Sequence, residues 1–245
     1  MMSRNTVYFA SDFHLGSPNS NDSLKRELKI CKWLDSIQDT ASDIYLVGDI
    51  FDFWFEYNNV IPKGFSRIQG KLAHLTDLGI KVHFFPGNHD LWTFGYLEKE
   101  LGVIIHHKPL ITKIHGKTFY ITHGDGLGKG GLWYKFLKSI FSSKICQWLF
   151  SILHPDIGVK LAKLWSQKSR KNNRNIDNTK LKESLIAYSK KILANRDINY
   201  FVFGHIHQPT EIKLSSTSKY INLGDWITHF SYVEFNQSNL LFKKF

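Results

Sequence analysis

Val82-His83-Phe84-Phe85-Pro86-Gly87-Asn88-His89-Asp90 decides how this chain is read. An apolar run of strand length stops at Pro-Gly, a pair that forces a turn, and then presents an amide, an imidazole and a carboxylate. The same grammar occurs four more times. Val7–Ala10 leads into Asp12-Phe13-His14, and Ile44–Val47 into Gly48-Asp49-Ile50-Phe51-Asp52. Phe119–Thr122 leads into His123-Gly124-Asp125, and Tyr200–Phe203 into Gly204-His205-Ile206-His207. Strands laid side by side would deliver Asp12, His14, Asp49, Asn88, His123, His205 and His207 to one place. That set offers enough oxygen and nitrogen for two divalent cations, and a close pair of cations hydrolyses phosphate esters.

Each block alone also reads as a polar turn; the five together do not. Asp12 and His14 are two apart, so an extended chain points both to one side. Gly48 lets the backbone turn tightly before Asp49, and Asp52 supports that turn or a ligand. Asn88 offers an amide oxygen. His89 is expected to face the substrate, oriented by Asp90 through its other ring nitrogen, as an acid or as a stabiliser of developing charge. His74, His83, His106, His107, His115, His154 and His229 lack such context and receive no role.

Between the blocks the pattern is βαβαβ, which predicts a parallel sheet with helical crossovers. Leu24, Leu28, Cys31 and Leu34 mark the inward face of a first helix. Ile68, Leu72, Leu75 and Leu78 mark a second, over Phe65–Leu78, ended by Gly79. A short helix is expected near Phe94–Leu101, and a hairpin turns at His115-Gly116-Lys117. From Leu132 to Leu153 a broad apolar stripe runs at helical spacing until His154-Pro155 breaks it. A further helix carries Leu161, Leu164 and Trp165, and the polar run Ser166–Asn175 reads as a loop. Leu181, Leu185, Tyr188 and Ile192 mark a returning helix, followed by antiparallel strands around Glu211–Leu214, Lys219–Asn222, Tyr232–Phe235 and Leu240–Phe242.

With 245 residues, 42% of them hydrophobic, one large core is within reach. The two cysteines form no spacing motif and point to a reducing compartment. Neither a secretory leader nor a spanning helix is expected. The net charge of +11 is concentrated: between Lys129 and Asn175 ten Lys or Arg face a single acid, Asp156, a local excess of +9. Such a stretch expects an anionic partner, whether nucleic acid, an anionic lipid surface or a polyphosphate.

The five blocks, in this order, resemble the calcineurin-like metallophosphoesterase superfamily. That resemblance implies a four-layer α/β/β/α fold, a two-sheet sandwich flanked by helices, in a single domain over 1–245. One ion would take Asp12, His14, Asp49 and His207, the other Asp49, Asn88, His123 and His205, with Asp49 bridging. Water readied by the pair would attack phosphorus in line, assisted by His89. The ligands suit Mn, Fe, Zn or Mg, with Mn²⁺ the first choice. Asp52-Phe53-Trp54, Leu223-Gly224-Asp225-Trp226 and the helical insertion at about 130–175 further resemble the UDP-2,3-diacylglucosamine pyrophosphohydrolase family. The implied substrate is a UDP-linked diacyl sugar, handled at the cytoplasmic face of a bacterial inner membrane by a peripheral enzyme with a helical lid. Asn88, Tyr134 and Ser169 fall on substrate contacts, and Lys168 and Arg170 would meet phosphates. The chain departs at His89, where the enterobacterial members carry Arg, and at Gly128-Lys129-Gly130-Gly131, where they carry an acidic pair. A phosphodiesterase acting on nucleotides or nucleic acid is the rival reading, but the aromatics follow an apolar helix face rather than interleaving with the basic residues, so no stable nucleic-acid partner is expected. A non-catalytic scaffold is a third reading, against which the full ligand set argues.

Overall fold

A computed structural model describes residues 4–128, 132–173, 178–237 and 239–245, apart from the side chains of 132, 133 and 167–173. Strand β1 (Thr6–Ala10) is followed by α1 (Ser20–Ile37), β2 (Ala41–Val47), α2 (Ser66–Asp77), β3 (Lys81–Phe85), α3 (Tyr96–Leu101) and the short β4 (Ile104–Ile105). β1, β2, β3 and β4 pair in parallel. The hairpin β5 (Leu110–Ile114) and β6 (Lys117–Ile121) opens a second sheet. Its turn residues His115 and Gly116 both have positive φ, as a two-residue hairpin turn requires. Helices α4 (Leu132–Phe141), α5 (Lys144–Ile152), α6 (Pro155–Asn173) and α7 (Asn178–Leu193) intervene before β7 (Tyr200–Phe203). The chain closes with β8 (Thr210–Lys213), β9 (Lys219–Asn222), β10 (Ser231–Asn236) and β11 (Asn239–Lys244). The sheet orders are β11-β10-β1-β2-β3-β4 and β5-β6-β7-β9-β8.

Alternation along each strand builds the layers. Val7, Phe9, Tyr45, Val47, Phe85 and Phe235 meet Phe119, Ile121 and Val202 between the sheets. Phe9 stacks on Tyr45 of its own sheet at 4.9 Å and on Phe119 of the other at 5.6 Å. Tyr8, Ala10, Leu46 and Phe84 face the opposite way, onto α1, α2 and α3. Tyr120, Phe201, Phe203 and Tyr220 face α7 through Leu185. With both faces of the central strands covered, the runs read as continuously apolar. The four layers of the sequence reading are present: helices, two mixed sheets, helices.

Three local expectations change. α1 does not turn Leu24 and Leu28 inward; they are 39% and 41% exposed, while Ser23, Arg26, Glu27, Ile30, Trp33, Leu34 and Ile37 are buried. Its first half docks through polar groups instead. Arg26 donates to the His14 carbonyl at 2.7 Å, and Glu27 Oε1 accepts from the backbone N–H of Arg67 and Ile68, each at 3.0 Å. Leu78 is likewise exposed, at the C-cap of α2. Finally, Ser166–Asn175 is not a loop from its start: α6 runs on to Asn173, because Lys, Arg and Gln sustain a helix as readily as apolar residues do.

Candidate metal centre

The ligand candidates all sit just past the C-terminal ends of parallel strands, where open α/β sheets bind ligands. Asp12, Asp49 and Asn88 follow β1, β2 and β3; His123 and His205 follow β6 and β7. Buried apolar residues fix which way they point. Phe13 is driven against Trp33 and Trp226, so Asp12 and His14 turn the other way; Ile206 does the same for His205 and His207. The loops are stitched by backbone bonds: Asp12 N–H to Gly48 O at 3.0 Å, His14 N–H to Asp49 O at 2.9 Å, and Gly204 N–H to His123 O at 3.0 Å. Asp12, His14, Asp49, His205 and His207 all carry positive φ, a cost that backbones tolerate where function requires it. Glycine is required nearby for space: a Cβ on Gly48 would fall on the His123 imidazole, and one on Gly87 on the Asp49 carboxylate.

Two sub-clusters result, Asp12–His14–His207 and Asp49–His123–His205, with His89 close to His14 and Asp49. Asp49 Oδ2 lies between them, 3.6 Å from His14 Nε2 and 3.2 Å from His123 Nε2. Its other oxygen accepts from the His89 backbone at 2.9 Å. Second partners turn the imidazoles. His123 Nδ1 donates to the Val47 carbonyl at 2.9 Å, which aims its Nε2 into the cluster. His14 Nδ1 meets Asp52 Oδ1 at 3.3 Å, and His207 Nδ1 meets Asp225 Oδ2 at 3.2 Å. Asp225 Oδ1 is itself held by the backbone of Ile227, Thr228 and His229.

This donor set fits cations. Asp12 Oδ1, Asn88 Oδ1 and His123 Nε2 are buried and make no hydrogen bond, a cost that a metal removes. His14 Nε2 faces His207 Nε2 at 3.3 Å, within reach of one shared proton or of a cation held by both. The titration pattern shows the same demand. Burial opposes charge on His14, yet Asp12, Asp52 and Asp49 outweigh it and push the imidazole up to about 10. Burial likewise opposes charge on His123, and Asp49 carries it up to about 10. Asp49 is held well below the usual carboxylate range: burial works against this, and His123, His89 and His14 prevail. Burial, aided by His123, depresses His205 to about 4, and burial lowers His89.

His89 does not take its orientation from Asp90. Its Nδ1 lies 3.1 Å from the Asp52 carbonyl. Asp90 is fully buried and accepts from the backbone N–H of Ile50, Phe51 and Gly87. It therefore clamps the loop after β3 to the loop after β2, and burial with the Asp49 charge raises it to about 7. Both Asp90 oxygens are turned to backbone donors, and the adjacent ring takes its hydrogen bond from elsewhere. Asp52, read as support, serves as the hub for both His14 and His89.

Tyr134 donates to Asp125 Oδ2 at 2.7 Å, and Lys138 reaches the same oxygen at 2.5 Å, so Tyr134 anchors α4. The side chains of Lys168, Ser169 and Arg170 lie outside the described residues. α5 and α6 seat on an aromatic patch in which Phe150 packs on Phe53, Phe55 and Trp92. Beyond that seat the apolar stripe faces outward: Ile145 is 72%, Trp148 62% and Trp165 57% exposed. Two roles escaped the sequence reading. Asp225 carried a signal, a Gly-Asp pair after a strand. Ser166, buried on α6 against Asp52 and His89, carried none.

The Calcineurin-like phosphoesterase model matches residues 6–209. A protein from Porphyromonas gingivalis named UDP-2,3-diacylglucosamine hydrolase is 35% identical over 97% of each chain. A Histophilus somni protein of the same name is 26% identical over 96% of this chain and 98% of its own. Among solved structures, a dimetal phosphatase from Danio rerio aligns over 98% of this chain and 95% of its own, at 12% identity and a TM-score of 0.46. With the match running from the first strand to the His205–His207 loop, the chain belongs to the calcineurin-like phosphoesterase family and is a phosphoesterase.

Proposed function

We propose that this enzyme hydrolyses the pyrophosphate bond of UDP-2,3-diacylglucosamine, giving UMP and the diacylglucosamine 1-phosphate, at an anionic membrane surface. The observation that carries the reading is 35% identity to a hydrolase of that name across nearly the whole of both chains. The outward apolar stripe of α5 and α6 supports it, because a diacyl substrate needs apolar surface beside the hydrolytic centre. The basic excess of the same segment suits phosphates and anionic headgroups. No helix among the described residues is long and apolar enough to cross a membrane, in keeping with peripheral attachment.

Two divalent cations, Mn²⁺ by preference, would be held by Asp12, His14, Asp49 and His207 and by Asp49, Asn88, His123 and His205. When bound they supply charge neutralisation at phosphorus and a nucleophile at neutral pH. The chain's own groups do the positioning. Asp49 Oδ2 faces both sub-clusters. His89, with its Nδ1 held, keeps Nε2 free for the phosphoryl or leaving oxygen.

The test compares UDP-2,3-diacylglucosamine, bis-p-nitrophenyl phosphate and single-stranded DNA in Mn²⁺. Efficient turnover of the first alone is expected; preference for DNA would overturn the reading. His89→Ala is expected to keep its metals by elemental analysis while losing turnover, and unchanged turnover would remove His89 from the reaction.

A further inference from the structure

The helices between β6 and β7 reach the centre through one buried hydroxyl. Ser166 lies on α6 and is 4% exposed. Its Oγ donates to Asp52 Oδ2 at 3.0 Å and lies 3.2 Å from His89 Nδ1. That same Nδ1 is 3.1 Å from the Asp52 carbonyl. A carbonyl only accepts, so Nδ1 carries the proton and shares it between Asp52 O and Ser166 Oγ. Ser166 is therefore an acceptor for His89 and a donor to Asp52 at once. Asp52 Oδ1 meets His14 Nδ1 at 3.3 Å. One continuous network joins α6, the substrate-facing imidazole and a ligand of the metal cage.

We propose that Ser166 is a positioning residue that fixes the ring orientation of His89, so that the centre is complete only when α6 is seated. The backbone carbonyl of Asp52 gives that nitrogen one hydrogen-bond partner, and the His14 ring packs edge-on beside it at 4.8 Å. The hydroxyl supplies a second point, on a different element. Orientation of His89 thereby depends on where the helical segment sits. That seat is set away from the metals, by Phe141 against Trp165 at 5.9 Å and by Phe150 on Trp92 at 4.6 Å. Gly158 permits it, because a Cβ there would run into the Tyr57 hydroxyl and the Phe150 ring. The helical segment is then part of the catalytic geometry as well as a cover. The inference rests on His89 acting in the reaction, and not on which phosphate is cleaved.

The test uses the full-length Mn²⁺ enzyme with bis-p-nitrophenyl phosphate, so a failure to cleave the UDP-linked lipid would leave it intact. Ser166→Ala is expected to lower kcat about tenfold or more, with KM unchanged, as misplacement of a reacting group does. Ser166→Thr, which keeps the hydroxyl, is expected to restore most of the loss. In a His89→Ala background Ser166→Ala should change nothing further, since the two act as one unit. Side-chain NMR of the metal-free protein reads the ring directly: Nδ1 of His89 should stay protonated in both proteins, since the Asp52 carbonyl remains, while Ser166→Ala should shift and broaden the Nδ1–H resonance as the ring loses its second anchor. The proposal is overturned if Ser166→Ala leaves that signature unaltered, whatever happens to rate, or if its effect persists in full without His89.

Discussion

His14 and His123 are the residues at which the chemistry of the cage can be read before any metal arrives. Both are pushed up to about 10, burial opposing and the surrounding carboxylates prevailing. At pH 7.5 each therefore carries a proton in the metal-free protein, and a cation must displace it. Affinity for Mn²⁺ should rise with pH up to about 10. Calorimetric titrations in phosphate and in Tris should differ in heat by the ionisation of the protons released; equal heats would refute the assignment. The convergence of these side chains was legible because the candidate ligands follow a local rule, an O or N donor just after a strand, repeated five times. What orients those ligands was not, because it is long-range: Asp52 reaches back to His14, and Asp225 reaches His207. Asp90 shows the opposite error. Adjacency in sequence suggested that it holds His89, whereas its carboxylate is occupied by three backbone donors.

At the scale of elements, the N-terminus of α2 has no cap of its own. The residue before it, Phe65, is in the left-handed region and makes no side-chain cap bond. Glu27, from the middle of α1, supplies the missing acceptor. Glu27→Ala should cost about 0.5–2 kcal/mol, the usual range for a lost cap, measurable by urea denaturation at constant m; a change below a few tenths would show that water substitutes. This is why periodicity misplaced the buried face of α1: the helix buries an arginine and a glutamate for the backbone groups they satisfy, and leaves Leu24 and Leu28 outside. The outward stripe gives a second expectation. Ile145, Trp148 and Leu149 are exposed, so replacing all three with Ser should leave the melting temperature within a few degrees. KM for the UDP-linked lipid should rise at least about tenfold, the effect of losing one or two partly buried side chains, while bis-p-nitrophenyl phosphate is unaffected. Equal losses on both substrates would make the stripe structural.

Across the whole molecule, the cage is fed by both sheets: Asp12, His14, Asp49 and Asn88 come from one, His123, His205 and His207 from the other. A bound cation therefore ties the sheets together and stabilises the folded state by mass action. At a hundredfold excess over Kd the gain is about 2.7 kcal/mol per site, which for a chain of this size raises Tm by roughly 5–10 °C. Stripping with EDTA should reverse that shift, and a melting curve indifferent to EDTA would sink the two-sheet cage. The layers themselves were legible, since βαβ alternation dictates a parallel sheet. The fate of the last strands was not. Periodicity gives four alternating segments, but nothing local says that β8 and β9 join one sheet while β10 and β11 cross to the other, with β10 beside β1. That crossing has a consequence for biogenesis. Strand β1 gains its second neighbour only from a segment more than two hundred residues further along the chain. Until that segment has been translated one flank of β1 stays unzipped, and the six-stranded sheet cannot close.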